Sequence, residues 1–324
     1  MADQIIAVDL GGTQARAALC DADGKILRPP FKQSANAEGG VEAVYQSVID
    51  SIRHVALDFS RVRGIGFGAP GPLDPWHGII LEAPNLAGMT NFPMKDRLQK
   101  DFGVPVFGGN DANLAALGEH RFGAGRGVAH MIFITISTGI GGGIIADNKL
   151  FLGWRGFAGE VGHQTIDANG PICNCGNIGC LEVMAAGPAI ERDARAALRA
   201  GRQSKMNTLV GGNIDQVTGA IISQAARAGD VLANEIYDRA GFYIGLGLVS
   251  LLHNFDTQLF VIGGGVAIHA WDLIYPKMSE TLTKHAFPSM SKGVRIVPAQ
   301  LGDDVVLLGA AALVKEQLQM TNDK

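Results

Sequence analysis

The sequence predicts an α/β fold built from two related halves, and three observations carry that prediction. Short apolar, β-branched segments alternate with helix-spaced segments along the 324 residues. A strand, a glycine turn and a second strand occur twice, once at the N-terminus and once midway. Single hydrophobic cores stop growing at roughly 250–300 residues, so this length suits two domains sharing a cleft.

Taken in order, residues 5–10 are apolar, run into Asp9-Leu-Gly-Gly-Thr13, and are followed by a second apolar segment, 15–20. Strand, turn, strand is a hairpin rather than the strand-to-helix step of a dinucleotide fold. Residues 40–55 repeat Val41, Val44, Val48, Ile52 and Val55 at helical spacing. Residues 62–67 read as a strand ending in the turn-rich Gly68-Ala-Pro-Gly71-Pro-Leu-Asp74. A loop carrying Pro84-Asn85-Leu86 leads to a helix over 94–102 and a short strand over 104–107. Asn110-Asp-Ala-Asn113 then opens a helix reaching Phe122.

Residues 131–136 read as a strand entering Ser137-Thr-Gly-Ile-Gly-Gly-Gly143, with apolar residues 144–146 behind it. After the cysteine-rich segment come helical stretches over 188–200 and 215–228 and a long helix over 231–253. A strand over 258–262 stops at Gly263-Gly-Gly265 before another helix. A strand over 294–298 and a helix from 303 complete the chain. The expected division is a small α/β lobe over 1–118, with the helix 303–324 packing back on it, and a larger lobe over 119–302.

Composition narrows the function classes. Apolar residues make up 47% and charged residues 18%, enough for packed cores, and no segment reads as disordered. A net charge of −4 without Lys/Arg runs argues against a nucleic-acid partner. The N-terminus has no basic and apolar leader, and the longest apolar stretch, 305–314, is too short to span a bilayer. Three of the four cysteines fall within eight residues, which suggests a metal site in a reducing compartment and a cytoplasmic protein. Forty-four glycines, many in strings, point to backbone brought close to a ligand.

Four constellations carry chemistry. In Asp9-Leu-Gly-Gly-Thr13, Gly11 and Gly12 let backbone N–H groups approach a polyphosphate. Thr13 adds a hydroxyl, and Asp9 is placed to hold hydrated Mg²⁺. An ordinary hairpin turn is the alternative. Ser137–Gly143 contains G-x-G, but no helix follows it, so a second phosphate turn fits better than a dinucleotide site. At Gly263-Gly-Gly265 bare backbone would let an adenosine ring lie close, or a strand and helix pack tightly. His163 with Cys173, Cys175 and Cys180 makes a Cys₃His set, the closed ligand count of structural Zn²⁺. Gly176 and Gly179 permit the tight loop such a set needs. Unrelated buried cysteines or a Cys173–Cys175 disulfide are the alternatives.

Gly159-Glu-Val-Gly-His163, nine residues, then Cys-x-Cys-Gly-x-x-Gly-Cys-x-Glu182 resembles the signature of the ROK family (repressors, open reading frames and kinases). Asp9-Leu-Gly-Gly-Thr, Gly68-Ala-Pro-Gly-Pro, Pro84-Asn-Leu, Asn110-Asp-Ala-Asn and Ser137–Gly143 resemble it too, in the same order. The resemblance implies a two-lobed actin-like, ribonuclease-H-like ATPase fold closing over ATP and Mg²⁺. It implies a sugar kinase in which Asp111 is the catalytic base; Asn110 and Asp111 also suit a helix start.

Gly71, Asn85, Asn110, Asp111, Glu160, His163 and Glu182 match positions that meet the sugar, His163 serving both zinc and sugar. Gly11, Gly12, Thr13, Thr138 and Gly139 match phosphate positions, and Gly264 and Gly265 the adenosine. The segment 158–177 is most similar to glucose-phosphorylating members, so the 6-hydroxyl of glucose is the expected acceptor, with N-acetylmannosamine, N-acetylglucosamine or fructose as alternatives. Ala87-Gly-Met-Thr-Asn91 departs from the Pro-Gly-Trp common in the family. A non-catalytic sugar sensor is a further alternative, though the family's repressors carry a helix-turn-helix domain for which a strand starting at residue 5 leaves no room. By analogy the protein is a homo-oligomer, a dimer or tetramer. Trp154 and Trp271 are expected in core or interface, and His253 in a helix end.

Overall fold

The alternation along the chain becomes two five-stranded sheets in the computed structural model, which describes residues 4–83, 86 and 88–322. Strands β1 (Gln4–Leu10) and β2 (Gln14–Asp21) form the N-terminal hairpin, with Asp9 opposite Arg16 and Leu10 opposite Ala15. β3 (Phe31–Ser34) extends the meander, and helix α1 (Val41–Val55) crosses over so that β4 (Val62–Ala69) lies parallel to β1. A small sheet, β5 (Leu73–Asp74), β6 (Ile79–Ala83) and β7 (Met89–Phe92), interrupts the sequence. Helix α2 (Met94–Phe102) then returns the chain to β8 (Val106–Asn110), parallel to β4. Parallel neighbours need a crossover, and these helices supply it. The order is β3-β2-β1-β4-β8.

After helix α3 (Asp111–Phe122) the pattern repeats. β9 (Met131–Ile136), β10 (Ile140–Ala146) and β11 (Lys149–Leu150) are followed by the cysteine loop and helices α4 (Leu181–Ala185), α5 (Gly187–Arg199), α6 (Lys205–Leu209), α7 (Gly219–Arg227) and α8 (Val231–Phe255). β12 (Leu259–Gly263), α9 (Gly265–His269), α10 (Trp271–His285), α11 (Pro288–Ser291), β13 (Arg295–Pro298) and α12 (Val305–Asn322) complete the chain. The second sheet has the order β11-β10-β9-β12-β13, with β12 parallel to both β9 and β13. Strand for strand it repeats the first.

The chain divides into two compact units, one of residues 1–128, 143–159 and 300–324, the other of 129–142 and 160–299. In the first, β1 is apolar on both faces because both faces of this mixed sheet are covered. Ile6, Val8 and Leu10 join Val44, Val48 and Ile52 of α1 on one side. Ile5 and Ala7 join Leu114, Leu307, Ala310 and Val314 on the other, so α3 and α12 form the second layer. Helix α12 can come this close because residue 309 is glycine: a Cβ there would collide with the Leu114 carbonyl. Cys20 lies in that second layer, its thiol pushed up to about 12 by burial, and acts as a small core residue. In the second unit, α8 packs along α10 and is capped by Asp230, whose carboxylate accepts from Ala233 N–H at 2.8 Å. Among the described residues no helix is long and apolar enough to cross a membrane.

Several boundaries differ from the sequence reading, for physical reasons. The strand expected over 104–107 runs Val106–Asn110, because pairing with β4 continues from Ile65–Val106 to Ala69–Asn110. The helix expected from 215 begins at Gly219, since Asn213 caps a separate short turn, Ile214–Gln216. The β5–β7 sheet has strands too short, and in β7 too polar, to show alternation. Trp154 is 87% exposed, which removes its core reading.

His120 of α3 gives the first unit a pH dependence. It is buried, its Nε2 lies 3.0 Å from the Val128 carbonyl, and burial followed by the Arg121 charge lowers its pKa from 6.5. The depressed folded pKa means stability is full above 6.5 and is lost as pH falls below it, because the unfolded chain binds the proton more readily. Thermal unfolding between about pH 7.5 and about pH 5.5 should show a falling Tm, and His120→Gln, which keeps an amide donor for Val128, should flatten that slope.

Candidate functional site

In the first unit the turn after β1 is built as the hairpin reading requires. Gly11 N–H donates to the Gln14 carbonyl at 2.8 Å, and Thr13 is exposed with its carbonyl accepting from Ala35 N–H at 2.9 Å. Asp9 sits at the strand end, and its pKa is raised because burial outweighs the opposing charge of Arg16, 3.5 Å away. Arg16 is anchored in turn by Asp304 at 2.6 Å and by the Asp303 carbonyl. A carboxylate this poorly solvated gains from a cation, so Asp9 fits a hydrated divalent ion.

The start of α3 gathers Gly71, Asn110 and Asp111. Asn110 is the helix cap: its Oδ1 accepts from Ala112 N–H at 2.9 Å and Asn113 N–H at 3.2 Å, and its Nδ2 donates to the Gly71 carbonyl at 3.3 Å. Gly71 has φ +80, and a Cβ there would strike the Glu82 carbonyl. Asp111 is the first helical residue, its Oδ1 accepting from Ala112 N–H at 2.7 Å. The capping alternative therefore belongs to Asn110. Asn85 lies outside the described residues.

In the second unit the turn from β9 to β10 is held from several sides. The Ser137 carbonyl accepts from Gly187 N–H at 2.9 Å, the first residue of α5. The Ile140 N–H donates to Glu182 Oε2 at 2.9 Å; a hydrogen bond to a charged acceptor contributes about 1.5–3 kcal/mol. Beside this turn opens a cavity of about 930 Å³, lined by Ser137, Thr138, Gly187 and Gly265 among others. Thr138 and Gly265 of the expected nucleotide residues thus reach it. Gly264 instead packs its backbone on Ile136, and Gly139 faces the Glu182 carboxylate. The sequence reading missed the cavity's helical wall. Glu191 there accepts from Gly219 N–H at 2.9 Å, and Arg227 pairs with Asp272 at 2.7 Å. Those residues are scattered over α5 and α7 and carry no spacing signal.

The cysteine loop forms the cluster its ligand types predict. One atom each of His163, Cys173, Cys175 and Cys180 lies within 4.8 Å of the others, and all four cysteines of the chain are free thiols, which removes the disulfide alternative. Two metal–sulfur bonds of about 2.3 Å at a tetrahedral angle place the sulfurs roughly 3.8 Å apart. Cys175 Sγ and Cys180 Sγ are 3.7 Å apart, and Cys173 Sγ lies 3.8 Å from His163 Nδ1. The set therefore fits a tetrahedral cation, with Nδ1 as the histidine ligand.

Burial pushes the Cys180 thiol up to about 12, so its thiolate needs a positive partner. Gly179, at φ +59, lets the loop press onto the Asp167 carbonyl. Asn177 Nδ2 braces the loop on Thr165 Oγ1 at 3.0 Å and Cys180 Sγ at 3.4 Å. His163 belongs to the turn Val161–His163, whose Gly162 lies so close to Ile140 that a Cβ would overlap the Ile140 carbonyl. Glu160, preceding that turn, is exposed.

The comparisons with known proteins agree over nearly the whole length. The ROK family model matches residues 5–317. A glucokinase of Thermotoga maritima is 35% identical, covering 97% of this chain and 98% of its own. The crystal structure of a ROK family glucokinase from Streptomyces griseus in complex with glucose and AMPPNP is similar with a TM-score of 0.79 and 36% identity, over 97% of this chain and 99% of that one. A xylose repressor of Caldicellulosiruptor bescii is 32% identical over 96% of this chain and 77% of its own. The duplicated β3-β2-β1-β4-β8 sheet is the two-domain sugar-kinase fold of the actin and Hsp70 superfamily, and the chain belongs to the ROK family.

Proposed function

We propose that the protein is an ATP-dependent sugar kinase and that glucose, through its 6-hydroxyl, is the acceptor. The observation that carries this reading is the pair of glycine turns, Asp9–Thr13 and Ser137–Gly143, each closing the first strand of one copy of a duplicated fold. The second of them borders a cavity large enough for a nucleoside. Similarity to glucokinases over nearly the whole chain supports the choice of sugar.

In this reading Thr138, Gly139, Gly11, Gly12 and Thr13 meet the phosphates and Gly264 and Gly265 the adenosine. Gly71, Asn85, Asn110, Glu160, His163 and Glu182 meet the sugar. Asp111 accepts the proton of the attacking hydroxyl while the sugar oxygen bonds to the γ-phosphorus and the bond to the ADP oxygen breaks. Mg²⁺, when bound through Asp9, neutralises phosphate charge. The Cys₃His set holds a structural zinc, whose four protein ligands leave no position for chemistry. Zinc here would fix His163, leaving Nε2 for a sugar hydroxyl.

The deciding experiment measures ADP formation with Mg·ATP and glucose, N-acetylmannosamine, N-acetylglucosamine, fructose, mannose and allose. Glucose should have the highest kcat/KM. Preference for another sugar would replace the substrate and keep the mechanism. Sugar binding without turnover would favour the sensor reading, which the similarity to a xylose repressor keeps in view. Asp111→Ala should lower kcat by about 10²–10⁴-fold while glucose binding persists, measured by calorimetry; near-normal turnover would remove Asp111 from the mechanism. Metal analysis should find about one zinc per chain. Cys175→Ser should lose that zinc and bind glucose more weakly, and a metal-free yet fully active protein would overturn the zinc assignment.

A further inference from the structure

The cysteine loop and the turn that borders the cavity meet most closely at Ile140. Its N–H donates to Glu182 Oε2 at 2.9 Å. Its carbonyl lies against Gly162, with no room for a Cβ between them. Both contacts come from chain directly attached to metal ligands, since Glu182 is two residues beyond Cys180 and Gly162 immediately precedes His163. The two attachments are also tied to each other. Leu181 N–H donates to the Gln164 carbonyl at 2.9 Å, and Thr165 bridges Cys180. A cation held by His163 and Cys180 would therefore join the two contacts on either side of Ile140.

We propose that Glu182 is a positioning residue for the turn Ser137–Gly143, and that filling the Cys₃His site sets the affinity of this turn for nucleotide phosphates. This rests on the reading of the turn as a phosphate site. A cation on the four ligands would add a direct tie between the chain at Gly162 and the chain at Glu182, beyond the Leu181–Gln164 hydrogen bond and the Thr165–Cys180 bridge, and so tighten the restraint on the Ile140 peptide. Gly139, one residue before it, faces the same carboxylate, so any shift of Glu182 reaches the middle of the turn. A role confined to the sugar predicts something else: loss of Glu182 would change sugar affinity and leave the nucleotide alone.

The test compares ADP and adenosine binding by calorimetry on the full chain without sugar, which separates phosphate contacts from those of the nucleoside. Glu182→Ala should weaken ADP binding about tenfold and leave adenosine within about twofold. Glu182→Gln, whose amide oxygen can still accept from Ile140, should stay near the native ADP affinity. Removing the metal from the native chain should reproduce the selective loss of ADP affinity, and adding zinc back should reverse it. If Glu182→Ala fails to fold, the metal-removal arm decides alone. An unchanged ratio of ADP to adenosine affinity after both perturbations overturns the coupling and leaves the kinase reading intact. A parallel loss of both ligands also overturns it, because general loosening would explain that. Native, zinc-filled protein that binds neither ligand removes the kinase reading and this proposal together.

Discussion

The peptide units at the end of β9 are the point on which the second unit depends. Gly264 packs on Ile136, α5 begins with a hydrogen bond to the Ser137 carbonyl, and Ile140 is gripped by Glu182 and Gly162. Strand β12, helix α5, helix α4 and the cysteine loop all converge on five residues of backbone. Such convergence is possible only where side chains are absent, because a Cβ at 162 or 264 would occupy space taken by main chain. Part of the glycine excess that stands out in the composition is therefore a packing requirement.

Charge follows the same economy. Asp9 is kept where water is scarce, and the cost of ionising it is only partly offset by Arg16, which Asp304 shares. Arg16 in turn is steadied by residues just before α12, the helix that covers the outer face of β1. A buried Glu119 secures that same approach, accepting from Gln300 and Leu301 N–H groups at 2.8 and 2.9 Å. The last helix of the chain thus supports the first strand in two ways, by apolar burial and by fixing the cation that faces its carboxylate. Both are long-range contacts, between residues nearly 300 positions apart in the case of Arg16.

The strands and helices were legible because their apolar spacing is regular. The repeats at β1–β2 and β9–β10 announced the duplication before any pairing was known. The Cys₃His set was legible because ligand chemistry restricts residue type, and the structure brings those four atoms together. Asn110 shows the limit. Its position suits both a cap and a ligand, and only the bonds to Ala112, Asn113 and Gly71 show that it caps α3. The cavity wall of Glu191 and Arg227 was invisible, since helical residues that meet a space from different elements share no spacing.

By itself, the sequence determined the alternation of elements, the doubled hairpin and the Cys₃His set that could hold a metal. Each of these follows from local periodicity or from the chemistry of residues near one another in the chain. Only the tertiary structure decided that β8 extends to Asn110, that Glu182 bonds the backbone at Ile140, and that Gly309 admits α12 against α3. Those outcomes depend on which backbones meet at contact distance, and that distance is set by the whole packed unit.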